Sequence, residues 1–339
     1  MRISVSGTRG KTTTVNMVHD LLMRRGLKVV SKTTGEDAIV RIADSEFRMN
    51  IRPRSVLDEN LDVIKIPHDV LIIENQAITP YTMRVFHRMV RPDIVTITNV
   101  RMDHAEFLGE NRREVAKSFI SSINEDVEFL ISGETRKELI DLLKAGAERL
   151  GAEYIQARNY GIPGSESVGI SEEVARLVTG ERLGEEERRY MMRKLEEMLS
   201  VRRSGDLLWY NGAKVNDPES AEILLSYLLR RYGRRIIISA SFRSDRRDRT
   251  SLFAGFLRKL SEEELISSIF VSGHAARSVA KRVGRKCFPV KEDLDSVRDV
   301  IGLAMREGAI LMLLANRKTK FADLMLEEIG RLSSNDGGL

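Results

Sequence analysis

Cysteine is nearly absent from this 339-residue sequence, which contains only Cys287. A single cysteine excludes an internal disulfide and a metal cluster held by several thiolates. Glutamine is also scarce and occurs only at positions 76 and 156, whereas Glu, Arg and Lys are abundant. That bias is typical of heat-adapted proteins.

Long apolar runs are absent as well. No stretch approaches the ~18 residues of a membrane-spanning helix, so we expect no direct membrane span. The first residues enter a predicted strand without the charged and apolar regions of a secretory signal, so we expect a cytoplasmic protein. The length favours two domains, each large enough to bury its own core.

The first fourteen residues carry the strongest motif. Residues 1–6 read as a buried strand, and a glycine-bearing loop then turns into a helix. Glycines allow close approach of the backbone to a phosphate, a lysine adds positive charge, and a threonine offers a hydroxyl to Mg²⁺. The predicted phosphate-binding residues are Gly7, Thr8, Arg9, Gly10, Lys11, Thr12 and Thr13.

This loop departs from the common G-x-x-x-x-G-K-[ST] pattern, because Val5 stands where that pattern has glycine. Its own spacing is G-x-x-G-K-T. The alternative to a phosphate-binding loop is a turn that connects a strand to a helix by chance and binds no phosphate. No N-K-x-D segment for reading a guanine base occurs in the chain, which argues against a GTPase.

Strand-like and helix-like segments alternate along the chain, which predicts an α/β fold with a doubly wound, mostly parallel sheet. The apolar run at 69–73 is typical of a strand covered on both faces. We predict a P-loop domain over 1–232, a smaller Rossmann-like α/β domain over 233–332, and a disordered tail over 333–339.

The motifs resemble those of the Mur ligase superfamily, whose enzymes join a carboxylate to an amine with ATP. Within it they are similar to the poly-γ-glutamate synthase subunit called PgsB or CapB, which also has Thr-Arg between the loop glycines. Three further segments fit that pattern in order: Lys32-Thr33-Thr34-Gly35, Leu71-Ile72-Ile73-Glu74 and Thr98-Asn99-Val100-Arg101-Met102-Asp103-His104.

The resemblance implies a metal site formed by Thr12, Glu74 and His104, with His104 and Lys11 also catalytic. Glu74 ends an apolar strand, where a charge is costly unless it is paired or bound to metal. Neutral imidazole is an unusual ligand for Mg²⁺, so the role of His104 depends on the resemblance, and Asp103 could instead orient it. The alternatives without a metal are that Glu74 is a solvated carboxylate at the end of a strand and that His104 is a structural histidine.

Two later segments have implied roles. Asn216-Asp217-Pro218 is similar to a turn that meets the nucleotide, although Asp217 and Pro218 are also an ordinary helix start. Arg243 and Arg246 follow a strand of the second domain and resemble an arginine segment that could clamp a γ-phosphate or an anionic substrate across the domains. A salt-bridged loop is the alternative reading.

The resemblance therefore implies an ADP-forming amide ligase that uses ATP and Mg²⁺, works through an acyl phosphate, and acts on glutamate or a poly-γ-glutamyl chain. A small-molecule P-loop kinase and a non-catalytic nucleotide-gated binding module remain alternatives. The expected partners are small-molecule carboxylates and amines and, by resemblance, small membrane-bound synthase subunits. Nucleic acid is not expected, since no aromatics interleave with the arginines. The superfamily's carbamylated lysine has no match in residues 157–180.

Overall fold

The computed structural model describes residues 1–34, 38–48, 56–76, 78–102, 105–215, 217–245, 247–314 and 319–335. The chain divides into two compact units, Met1–Leu195 and Glu196–Leu339. The predicted α/β fold is confirmed, because each unit is built on a mostly parallel sheet flanked by helices. Among the described residues, no helix is long and apolar enough to cross a membrane.

The first unit contains an eight-stranded sheet. Its strands are β1 (Arg2–Ser6), β2 (Val29–Lys32), β3 (Ile39–Ile42), β4 (Ser45–Arg48), β5 (Val70–Glu74), β6 (Ile94–Ile97), β7 (Phe129–Ser132) and β8 (Glu153–Gln156). Their order is β4-β3-β2-β5-β1-β6-β7-β8. From β2 to β8 neighbouring strands are parallel, whereas β3 and β4 add an antiparallel edge.

Helices connect these strands. They are α1 (Lys11–Arg24), α2 (Val56–Ile64), α3 (Pro80–Val90), α4 (Ala105–Leu108), α5 (Arg112–Ser121), α6 (Lys137–Leu150), α7 (Glu166–Thr179) and α8 (Glu185–Leu199). Apolar side chains of α3, α5 and α6 pack with Val95, Ile97 and Leu130 in one core cluster. Helix α1 packs instead against α7.

Strand β1 lies between β5 and β6, although those strands come much later in the chain. Val5 is in register with Glu74 of β5 and with Thr96 of β6. The chain therefore changes direction across the sheet at β1. In open α/β sheets, ligands bind at such a switch point, beyond the carboxyl ends of the strands.

The second unit has a six-stranded sheet. Its elements are β9 (Arg202–Ser204), β10 (Leu207–Asn211), α9 (Pro218–Tyr232), β11 (Ile236–Phe242), α10 (Arg247–Leu260), β12 (Ile266–Gly273), α11 (Ala276–Val283), β13 (Cys287–Pro289), α12 (Leu294–Glu307), β14 (Ile310–Leu314) and α13 (Lys320–Asn335). The strand order is β13-β12-β11-β14-β10-β9, and the pairs are parallel except for β9 with β10.

The division between the units differs from the predicted boundary at 232/233. Strand β10 pairs with β14, a partner about one hundred residues later in the chain, so residues from 202 onward join the second sheet. The predicted tail differs as well. Helix α13 continues through Ser333 and Ser334 to Asn335, and residues 336–339 lie outside the described residues.

Candidate active site

The phosphate loop connects β1 to α1 at the switch point of the first sheet. Gly7 has φ 115° and Gly10 has φ 83°, a region of backbone conformation that favours glycine. A Cβ at Gly7 would lie 2.2 Å from the Thr98 hydroxyl oxygen, so this position has no room for a side chain. The loop is therefore pressed against the end of β6.

The end of β6 holds this loop through Thr98 and Asn99. The Thr98 hydroxyl donates to the Arg9 carbonyl at 2.6 Å, and the Asn99 amide nitrogen donates to the same carbonyl at 3.0 Å. The Arg9 backbone N–H in turn donates to the Asn99 side-chain oxygen at 3.1 Å. Because the Asn99 side chain makes bonds in both directions with Arg9, the loop is fixed before any ligand arrives.

Within the described residues, no side chain caps the N-terminus of α1 by a hydrogen bond. Gly10 is the N-cap residue and supplies no capping side chain, and no acidic residue lies in the first turn. The first backbone N–H groups of a helix lack intrahelical partners and carry a partial positive charge. This end of α1 is consequently suited to an anion such as phosphate.

Lys11 folds back over the loop that precedes it. Its ammonium group donates to the Gly7 carbonyl at 2.8 Å and to the Thr8 carbonyl at 3.3 Å. These are contacts with neutral acceptors, and the side chain is half-buried. The ammonium charge thus lies directly above the loop where the phosphate would be bound.

Thr12 and Glu74 meet at this edge, as the sequence predicts for a metal site. The Thr12 hydroxyl donates to Glu74 Oε2 at 2.9 Å, and the Thr34 backbone N–H donates to the same oxygen at 3.0 Å. Glu74 is only 5% exposed. A buried carboxylate beside a hydroxyl provides the hard oxygen donors that Mg²⁺ prefers. Asp103 and His104 lie outside the described residues, so their predicted roles stay predictions.

Lys32 lies under the same edge and is fully buried. Its ammonium donates to the Asn60 side-chain oxygen at 2.7 Å and pairs with Glu59 at 3.1 Å. Burial lowers the pKa of Lys32, while the nearby carboxylates of Glu59 and Glu74 raise it. The sequence does not indicate that Lys32 is buried or that it contacts Asn60 and Glu59.

Glu166 is a further residue of this network that the sequence analysis missed. It begins α7, is 7% exposed, and accepts a hydrogen bond from the Asn99 amide at 2.9 Å. The next residue, Ser167, accepts from the Thr14 hydroxyl at 2.9 Å. The turn at 161–164, followed by small residues at every second position from 165 to 171, is a sequence signal for a close helix contact here.

In the second unit, Arg243 follows β11 and lines a polar cavity of about 550 Å³. Its guanidinium makes two parallel hydrogen bonds to the Asp245 carboxylate, at 2.9 and 2.8 Å. His274 and Lys320 line the same cavity. Arg246, the second arginine of the predicted clamp, lies outside the described residues, so its role stays a prediction.

Asp217 adopts the ordinary role that the sequence offered as an alternative. It is the N-cap of α9, with Pro218 at the first helical position. Its carboxylate accepts from the Ser220 backbone N–H at 2.8 Å and from the Ser220 hydroxyl at 2.6 Å. Asn216 lies outside the described residues. Contact of this turn with a nucleotide stays a prediction.

Family comparisons match both units. Residues 5–144 match the Mur ligase middle domain, and residues 198–332 match the poly-γ-glutamate synthase CapB C-terminal domain. Over 167 residues, 47% of this chain, it is 28% identical to the capsule biosynthesis protein CapB of Bacillus anthracis and 26% identical to the PGA synthase CapB of Bacillus subtilis. The matched region spans 35% and 42% of those relatives' own lengths.

Solved structures share the fold. A FolC structure from E. coli in complex with DHPP and ADP superposes with a TM-score of 0.72 at 15% identity, covering 98% of this chain and 88% of the other. A bifunctional folylpolyglutamate synthase/dihydrofolate synthase from Yersinia pestis, complexed with AMPPNP and Mn, gives 0.70 at 17% identity, with 97% and 88% covered. The resemblance drawn from the motifs, to the Mur ligase superfamily and to CapB within it, is confirmed.

Proposed function

The chain joins a Mur ligase middle domain to a CapB C-terminal domain, and from this premise we propose that it is an ATP-dependent amide ligase. Its substrate is a glutamate or poly-γ-glutamyl carboxylate, and ADP and phosphate are its other products. The observation that carries the proposal is the contact of Thr12 with Glu74 beside the Gly7–Gly10 loop. That arrangement joins a phosphate cradle to hard oxygen donors in one place.

The reaction begins with transfer of the γ-phosphoryl group of ATP to the substrate carboxylate. Lys11 and the amides of the loop hold the phosphates and stabilise the charge that moves with the phosphoryl group. The acyl phosphate is then attacked by the amine, the amide bond forms, and phosphate leaves. The protein contributes mainly position and electrostatics.

Thr12 and Glu74 would hold a divalent cation, which we propose to be Mg²⁺. When bound, the cation supplies charge neutralisation for the phosphate oxygens. His104 is proposed as a further member of this site, on the resemblance alone. Glu74 Oε2 also accepts a hydrogen bond from the Thr34 N–H, which helps to fix the orientation of the carboxylate.

The polar cavity lined by Arg243 in the second unit supports recognition of an acidic substrate. The guanidinium of Arg243 pairs with the carboxylate of the exposed Asp245, among its contacts. A substrate carboxylate can replace Asp245, because both offer the same two-oxygen geometry. We propose Arg243 and Arg246 as the residues that bind this anion or the γ-phosphate. Membrane-bound synthase subunits as partners are proposed on the resemblance.

The test is ADP release with purified protein, ATP and Mg²⁺, screened against glutamate, poly-γ-glutamate, other amino acids and acidic cofactors. We expect ADP release that requires both a carboxylate and an amine, together with an amide product by mass spectrometry. A phosphorylated product that persists in the presence of amines would instead identify a kinase. No turnover with any carboxylate would indicate a nucleotide-gated binding module.

A further inference from the structure

A basic groove lies in the first unit, away from the phosphate loop. It is lined by the C-terminal parts of α3, α5 and α6 and has a volume of about 1080 Å³. In parallel α/β sheets, helices end at the edge where the next strand begins. The groove is therefore at the edge of the sheet opposite the loop, separated from it by roughly the ~16 Å length of an 11-residue helix such as α3.

Cationic side chains dominate this groove. Its lining includes five of them, Arg84, Arg88, Arg91, Lys117 and Arg149, against two carboxylates, Glu125 and Asp126. All five cations are exposed. Such a concentration of like charge attracts anions into a concave surface, where the field is focused.

The arginines of α3 are arranged on one face of the helix. Arg84 and Arg88 are four residues apart on α3, which places them side by side. Arg91 is the C-cap residue of this helix, in a left-handed conformation, and lines the same groove. The helix contains no Asp or Glu that could separate them. Cations in a last helical turn are often explained by the helix dipole, but Arg84 precedes the last turn of α3, so the dipole does not account for it.

Two guanidinium groups of this groove donate to backbone carbonyls. Arg84 donates to the Ser121 carbonyl at 2.7 Å, and Arg149 donates to the Ala145 carbonyl at 3.3 Å. These two acceptors are neutral and do not compensate the positive charge, and each guanidinium has more donors than such a bond uses. A ligand with several carboxylates would satisfy both the charge and the remaining donors.

We propose that this groove binds a polycarboxylate chain, and specifically a γ-linked glutamyl polymer. The choice of polymer rests on the proposed function, whereas the charge and the shape of the groove do not. None of the described residues that line the groove is aromatic, so they offer no stacking surface of the kind that single-stranded nucleic acid uses. A concave groove also suits a chain better than a flat membrane surface.

Such a groove retains the polymer between additions. A chain held about one helix length from the phosphate loop keeps its end at a high effective concentration near the site of reaction. The enzyme would then extend one chain repeatedly in preference to starting new ones. The affinity should fall with salt, because the contacts are exposed charge pairs.

The experiment is fluorescence anisotropy of a labelled γ-glutamyl oligomer with the full chain, without ATP. We expect the double variant R88E/R149E to bind at least ~10-fold more weakly than the parent, as charge reversal at a focused site predicts. The matched control is R113E/K144E, which makes the same change in net charge at exposed positions of α5 and α6 outside the groove. This control should retain most of the affinity.

Equal weakening by both double variants would overturn the proposal, since it would indicate attraction to net charge alone. Tighter binding of a labelled single-stranded RNA of equal length, or of anionic vesicles, would overturn it as well. The assay contains no nucleotide, so it is independent of ligase activity. Lys11→Ala should bind the oligomer like the parent, and R88E/R149E should still bind ATP. Failure of the groove and failure of the proposed function are thereby distinguishable.

Discussion

The carboxyl edges of the two sheets differ in how their polar groups are arranged. In the first unit, Thr98 and Asn99 hold the phosphate loop by hydrogen bonds, and Glu74 Oε2 accepts from both Thr12 and Thr34. In the second unit, Arg243 lies beside an open polar cavity, and its partner Asp245 is exposed. The first edge is fixed before ligand binding, whereas the second can exchange its partner.

This difference indicates a division of labour. Phosphoryl transfer gains from donors that are already in place, because reorganisation during the reaction would cost rate. Recognition of an acidic substrate instead needs an arginine that can release one carboxylate and accept another. A substitution in the fixed site of the first unit should lower turnover. A substitution of Arg243 in the second unit should change turnover and ATP affinity by different amounts.

Replacing Lys11 should have the largest effect. Lys11→Ala removes the charge above the loop, so turnover should fall by about 10³-fold or more. The ammonium donates to the Gly7 and Thr8 carbonyls of the loop itself, and we expect the fold to remain intact. The measurement is ADP release, with Lys28→Ala as a control at an exposed lysine of the same unit. A Lys11→Ala variant with near-parental turnover would remove the phosphate-loop assignment.

Replacing Arg243 tests the exchangeable edge. If this arginine acts in the transition state, Arg243→Ala should cut turnover by about 10³-fold and change ATP affinity far less. Arg230→Ala, at an exposed position of α9, should cost little, as exposed charges usually do. Turnover and ATP affinity are measured for both variants. Equal, small losses of turnover in Arg243→Ala and Arg230→Ala would mean that these arginines only form a solvated basic surface.

Replacing Glu74 tests the fixed edge. Glu74→Gln keeps the shape and an acceptor for the Thr34 N–H but removes the charge that would hold the cation. Turnover should fall by about 10–100-fold, and more metal should be needed for half-maximal rate. Glu128→Gln, at an exposed position before β7, is the matched control. An unchanged metal requirement in Glu74→Gln would place the metal elsewhere.

Much of the first edge is predictable from the sequence. The apolar runs that form β1, β5 and β6 end in polar residues, and parallel strands bring those ends to one edge. The contact of Asn99 with Glu166 is not predictable in this way, since 67 residues separate the two. The motif that begins at Lys32 does not predict that this lysine is fully buried against Asn60 and Glu59, because lysine side chains are usually solvated.

The edge strands of the two sheets and the division between the units were also not predictable from the sequence. Strand β4 is exposed along its length, so it has no apolar pattern to reveal it. Strand β9 has three residues, too few for any period. The place of β10 in the second unit depends on its pairing with β14, a long-range contact that local sequence does not encode.

The smallest effect on turnover should come from the polar network around Ser4 of β1, where the ring Nε2 of His87 lies 3.0 Å from the Ser4 hydroxyl. Its Nδ1 lies 2.8 Å from the Ser122 carbonyl, so the ring donates there and accepts from Ser4. Burial lowers the pKa of His87 to about 4, while the hydrogen bond to Ser122 raises it. A fixed neutral ring of this kind resists protonation in the folded state.

The consequence is a pH-dependent stability. Below its ordinary pKa of about 6.5 the unfolded histidine takes up a proton, whereas the folded one stays neutral until about pH 4. The stability contributed by neutral His87 is therefore complete above pH 6.5 and is lost as pH falls to 4, by about 3 kcal/mol. Urea unfolding of the first unit, followed by circular dichroism across this range, measures the loss. The single Trp209 reports separately on the second unit.

His87→Gln should be less stable at neutral pH but should lose less stability on acidification than the parent. Met83→Ala, a cavity variant at a buried position of the same helix, is the control, because it should lower stability without removing a titrating group. Its pH dependence should follow that of the parent. If His87→Gln and Met83→Ala have the same pH slope, then His87 takes up its proton equally in the folded and the unfolded protein, and its burial does not account for the acid sensitivity of the first unit.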